Sequence, residues 1–256
     1  MIEIPLMTII TGLLTIGVRL SGLMLFAPFF GSVVIPARIK AILVLALTFL
    51  LYPMVGHTID PKILSNWPFL IFTEFLIGVG MGIATNIVFE AIQLSGQVLG
   101  IQMGYSLINI LDPQTQVDTT VMATFYQSIV MLLFLQMDVH FWLLRAVGNS
   151  FRYVPPGTAH VSSFFTSAVL KTVGEIFGLG VQIAAPVLAA TLAADVILGL
   201  LGKASPQMPL MLLGPAVKSL LGLTVLIATL KYWPDLFRRL FTDAVANGER
   251  LFHLAG

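Results

Sequence analysis

Long apolar runs dominate the chain, and six of them approach the roughly 20 residues that a helix needs to cross about 30 Å of hydrocarbon. They are Leu6 to Phe30, Ala41 to Val55, Phe69 to Phe89, Val121 to Met137, Val173 to Leu201 and Leu210 to Leu230, the second and fourth being the shortest. The pattern predicts an all-α, polytopic helical membrane protein with about six apolar helices. Glu3 is the only charge before the first run, and no small-residue cleavage site follows, so that run is expected to remain as a helix rather than to act as a leader. Beyond Lys231 the pattern changes. Leu236, Phe237, Leu240, Phe241 and Val245 recur at three- and four-residue steps among charged residues, which predicts an amphipathic surface helix in the tail.

Composition narrows the class further. Hydrophobic residues make up 57% of the 256 and charged residues 10%, with a mean hydropathy of +0.97. A soluble domain of this length does not have that balance. The net charge of +1 provides no field to gather nucleic acid. The absence of cysteine excludes disulfides and thiol chemistry. Six spans place both termini on one side. That side carries Lys62, Arg145, Arg152, Lys171, Lys231, Arg238, Arg239 and Arg250, against Arg38, Lys40 and Lys203 opposite, so the termini are expected inside.

The polar residues within the runs hold the functional information. Arg19, Glu74, Glu90, Glu175, Asp195 and Lys218 all lie in or at the edges of apolar segments, where one ionisable side chain costs about 2.5–3.5 kcal/mol at mid-bilayer. Taken singly, such charges read as structural ion pairs or snorkelling ends. Six together point to a wet interior or a polar subunit interface. Small residues at four-residue steps permit close helix approach: Gly78 with Gly82, then Gly96, Gly100 and Gly104, and Gly214 and Gly222 on either side of Lys218. These serve packing within the chain or docking onto other subunits.

The segment from Gln93 to Thr120 departs most from a membrane-spanning pattern. Gln93, Gln97, Gln102, Gln114 and Gln116 are scattered among Gly, Met and Leu, followed by an Asp112-Pro113 break. Such backbone persists at membrane depth only where it is buried in protein or lines an aqueous path; the alternative is a surface connector with Asp-Pro turn chemistry. His57, His140, His160 and His253 lack ligand spacing, and nucleophile-elbow, zinc-helix and phosphate-loop motifs are missing. No enzyme activity and no cofactor are expected.

Four passages, "VRLSGLMLFAPFFGSVVIPARIK", "GQVLGIQMGYSLINILDPQTQ", "HFWLLRAVGNSFRYVPPG" and "ILGLLGKASPQMPLMLLGPAVKSLLGL", occur in an order and spacing that resemble the FliR family of type III secretion export-gate membrane proteins. The likeness covers about Arg19 to Leu230. It implies a subunit that forms, with FliP and FliQ and in company with FlhB and FlhA, the channel through which unfolded flagellar proteins cross the bacterial inner membrane at the basal body. It also implies a FliP-like part, 1–170, that includes a loop at 93–120, then a FliQ-like hairpin, 171–232, turning at Pro206 and Gln207, and a tail, 233–256. By position, the loop that plugs the closed pore would comprise Met103, Gly104, Leu107, Ile108, Ile110, Leu111, Asp112 and Pro113, within about Met103 to Gln116. Because gates of this family stand largely above the lipid plane, Arg19, Glu74, Glu90 and Lys218 become candidates for contact with neighbouring subunits. An ion-coupled secondary transporter and a non-conducting assembly scaffold are the alternatives; the first should show two matching halves, which this sequence lacks.

Overall fold

A computed structural model describes residues 6–32, 35–55, 67–105, 119–158, 163–205, 207 and 210–255. Eight helices occur among them: α1 (Leu6–Phe26), α2 (Ala37–Val55), α3 (Trp67–Gln102), α4 (Val121–Gln136), α5 (Val139–Tyr153), α6 (Ser163–Ala204), α7 (Leu210–Leu230) and α8 (Trp233–Ala255). Within the apolar helices, threonine hydroxyls are satisfied by their own backbone. Thr15, Thr48, Thr73, Thr85, Thr191 and Thr224 each donate to the carbonyl four residues earlier, so these residues carry no unmet hydrogen bond into the hydrocarbon.

Among the described residues five helices are long and apolar enough to cross a membrane, and α4 with α5 would supply a sixth if counted as one broken span. The break falls at Asp138, whose φ of 57° is left-handed. Several boundaries differ from the sequence reading. Helix α2 begins at Ala37, just after Pro36, whose carbonyl accepts from Ile39 and Lys40. Helix α3 does not stop near Phe89 but continues to Gln102, so the first part of the expected 93–120 loop is helical. Helix α6 begins at Ser163, ahead of Val173.

The chain forms two compact units, both discontinuous in sequence: Met1–Ile87 with Asp138–Gly174 and Phe241–Gly256, and Val88–Met137 with Glu175–Leu240. In the first, Ile16, Leu20 and Leu23 of α1, Ile77 and Met81 of α3, Leu143, Val147 and Phe151 of α5 and Phe241 of α8 are buried. Here α1 and α3 touch backbone to backbone. A Cβ at Gly78 would overlap the Arg19 carbonyl oxygen, and one at Gly82 would lie 2.8 Å from Phe26 Cβ.

In the second unit, Phe89, Ile92 and Leu99 of α3, Tyr126, Val130 and Phe134 of α4, Ile183 and Val187 of α6 and Phe237 of α8 are buried. The Tyr126 and Trp233 rings meet edge to face at 4.9 Å. Thr120 caps α4 by accepting from the Ala123 amide, while its hydroxyl donates to Gly96 O at 3.1 Å. Gly96 and Gly100 lie against this cap: a Cβ at Gly96 would sit 2.8 Å from Ala123 N, and one at Gly100 would strike the Thr120 side chain. Packing within the chain therefore accounts for these two glycines.

Helix α8 is amphipathic: Phe237 and Phe241 are fully buried in protein, Leu236, Leu240 and Val245 are half-buried, and Arg238 and Arg239 are exposed.

Candidate functional site

The second unit fixes the point where α3 gives way to the glutamine-rich segment. Tyr105 N donates to Gly100 O at 2.9 Å and Gly104 N donates to Ile101 O at 3.1 Å. With Gly104 at φ +86°, this pair of bonds is a Schellman closure, in which the left-handed residue lets the last carbonyls of a helix be satisfied. Space restricts Gly104 as well, since a Cβ there would lie 2.9 Å from Pro215 Cβ on α7.

Side chains around this turn bind it to α6 and α7. Asp195 of α6 accepts from Gln102 Nε2 at 2.6 Å through one carboxylate oxygen, and its other oxygen pairs with Lys218 Nζ of α7 at 2.9 Å. The Tyr105 and Ser219 hydroxyls are 2.6 Å apart. Met103 is buried and fills the notch left by Gly222, where a Cβ would come within 2.7 Å of its Cε. Pro215, Ser219 and Gly222 of α7 thus receive the turn at Met103–Tyr105. Although the pair lies in apolar helices, the Asp195 side chain is 41% exposed. A charge so placed calls for water or protein beside it rather than lipid.

A second polar cluster occupies the first unit. Arg19, 1% exposed, donates from Nε to Glu74 Oε2 at 2.7 Å, from Nη1 to Ser150 Oγ at 2.8 Å and from Nη2 to the Val154 carbonyl at 3.1 Å. Its guanidinium also stacks 4.0 Å from the Phe151 ring centre. The other Glu74 oxygen accepts from Gly157 N at 3.3 Å. The cluster ties α1 and α3 to the end of α5 and to the Pro155–Gly157 turn.

Arg19 and Glu74 are buried against each other, and Lys218 is paired with Asp195, so each of these charges has an opposite charge beside it within the chain. Glu90 and Glu175 are exposed on α3 and α6. Of the expected plug, Met103 and Gly104 are as described above, whereas Leu107, Ile108, Ile110, Leu111, Asp112 and Pro113 lie outside the described residues, as does Pro206 of the hairpin turn. Gln207 is exposed in that turn. Sequence reading picked out Gln102 among the glutamines but not its partner, and did not single out Tyr105 or Ser219; these partners lie about a hundred residues apart along the chain, and only the four-residue steps around Lys218 hinted at a contact face there. No cluster of metal-ligating groups occurs among the described residues.

The helices and their polar interior define a polytopic helical membrane protein. Residues 10–244 match the family described as bacterial export proteins, family 1, and the chain belongs to that family. It is similar to the flagellar biosynthetic protein FliR of Pectobacterium carotovorum subsp. carotovorum, 28% identical over 88% of this chain and 87% of the relative. It is likewise similar to FliR of Escherichia coli strain K12, 26% identical over 88% of this chain and 86% of that one, and to FliR of Bacillus subtilis strain 168, 24% identical over 95% of both.

Proposed function

We propose that this chain is a subunit of the flagellar type III secretion export gate in the bacterial inner membrane. With FliP-like and FliQ-like subunits it forms the channel for unfolded flagellar proteins, and the segment from Met103 to Gln116 closes that channel. The relatives' shared name and the export family support the apparatus. The observation that carries the gating role is the root of this segment: a Schellman turn at Gly104, seated by Met103, Gln102 and Tyr105 on the α6–α7 hairpin. A segment held this way leaves α3 at a fixed point, so an apolar loop of Leu107, Ile108, Ile110 and Leu111 can be aimed at a pore. Methionine and aliphatic side chains can deform around one another to seal a wide opening, and the glutamines can bind water or backbone without placing charge in the path of a passing chain.

Co-expression with candidate FliP-like and FliQ-like proteins, purification through a tag on this chain and native mass spectrometry test the assembly. A defined hetero-oligomer containing both partners is the expected result. A stable monomer or homodimer would contradict it.

A further inference from the structure

We infer that the groove between α1 and α2 is a binding site for an anionic phospholipid of the bilayer, with an acyl chain along the groove and the phosphate on Lys40 and Arg38. The two helices come together at Gly17, where a Cβ would lie 3.4 Å from Thr48 Oγ1. Nearer their connection a groove of about 410 Å³ opens along the same seam, walled by Ser21, Met24 and Leu25 of α1 and by Ala41, Val44 and Leu45 of α2. That volume falls within the roughly 300–1,000 Å³ of sites that take one small molecule. A helix about 10 Å across fills roughly 120 Å³ per residue, so the groove is too small to seat one. Ser21 adds no polar demand, because its hydroxyl donates to Gly17 O at 2.7 Å. Met24 gives the wall an adaptable side chain. The interior therefore suits hydrocarbon.

Charge selects the headgroup. Lys40 lines the groove, and its Nζ donates to the Gly31 carbonyl at 3.1 Å, which holds the ammonium at the end nearest the connection by one of its three donors. Arg38 is exposed on α2, one turn ahead of Ala41. Neither cation pairs with a carboxylate among the described residues, and the first turn of α2 contains no acid. Helix α2 is itself long and apolar enough to span a membrane. Two uncompensated cations at the end of such a helix, beside an apolar groove, match an amphiphile with a negatively charged head better than a zwitterion, and basic pockets between spanning helices bind anionic headgroups in this way. The inference needs only the membrane class of the chain, so it stands or falls apart from the export-gate reading.

The test is native mass spectrometry of the full chain, purified and delipidated in detergent, then titrated with phosphatidylglycerol, phosphatidylethanolamine or glycerol phosphate. The parent is expected to hold one phosphatidylglycerol at least about tenfold more tightly than phosphatidylethanolamine and to ignore glycerol phosphate. Arg38→Gln and Lys40→Gln should each weaken phosphatidylglycerol about fivefold, which is about 1 kcal/mol at 1.4 kcal/mol per tenfold, and leave phosphatidylethanolamine little changed. Ala41→Phe, which fills the groove from an exposed position, should abolish specific binding of both lipids. Equal affinity of the parent for the two lipids overturns the proposal, as does normal binding by Ala41→Phe. Displacement of the lipid by glycerol phosphate overturns it by showing a phosphate site that needs no acyl chain. An Ala41→Phe chain that keeps its lipid but no longer assembles with FliP-like and FliQ-like subunits overturns it in favour of a neighbouring subunit. If Lys40→Gln fails to fold through loss of the Gly31 bond, Arg38→Gln decides the matter, since its side chain is exposed.

Discussion

Removing one partner of the Arg19–Glu74 pair should be among the most damaging single changes in the chain. Glu74 is fully buried, and in Arg19→Gln its carboxylate would keep, among the described residues, the 3.3 Å bond from Gly157 N. Ser150 Oγ and the Val154 carbonyl would also lose the guanidinium that joins them. Leaving a buried charge uncompensated costs about 3–5 kcal/mol. For a chain of this size each kcal/mol moves the melting temperature by about 2–4 °C, so Arg19→Gln and Glu74→Gln should each lower it by roughly 6–20 °C. The assay is thermal unfolding of the detergent-purified protein, followed by the loss of its size-exclusion peak at one heating rate. The double variant Arg19→Met with Glu74→Leu should cost clearly less than the sum of the singles, because it removes both charges at once. Singles that melt within about 1–2 °C of the parent, or a double that equals their sum, would refute the coupling.

Two further predictions concern packing and the tail. Gly96→Ala places a methyl against the Ala123 backbone and should destabilise by about 1–3 kcal/mol, whereas Gly174→Ala, which meets nothing within 4 Å, should be neutral or slightly stabilising in the same melt. Phe237→Ala, which empties a fully buried site on α8, should cost about 3–5 kcal/mol, while Arg238→Gln on the exposed face should stay within about 0.5 kcal/mol; equal effects would contradict the packing described for the tail.

The helices were legible where one physical signal dominated. Leu210 to Leu230 is an apolar run of spanning length, and α7 occupies the same residues. Helix α5 was not foreseen because Arg145, Asn149, Ser150 and Arg152 dilute its hydropathy, and its buried stripe, Val139, Leu143, Val147 and Phe151, shows only at helical spacing. The glutamines from Gln93 to Gln102 resembled the start of a loop, yet this stretch is helical because Gly96 and Gly100 allow α4 and its Thr120 cap to come close. At the site, the unusual residues could be picked out but their partners could not. Arg19, Glu74, Asp195 and Lys218 all stood out as charges in apolar runs, while the pairing of residues 55 positions apart, or of Gln102 with Asp195 93 positions away, depends on tertiary packing that spacing does not encode.

The most direct test of the central claim is the ion conductance of the reconstituted hetero-oligomer before and after deletion of Gly104 to Asp112. The account predicts a closed parent and a deletion variant that assembles normally but leaks ions steadily. An assembled deletion variant that remains as tight as the parent would contradict a gating role for the segment and leave the chain as a scaffold of the export apparatus.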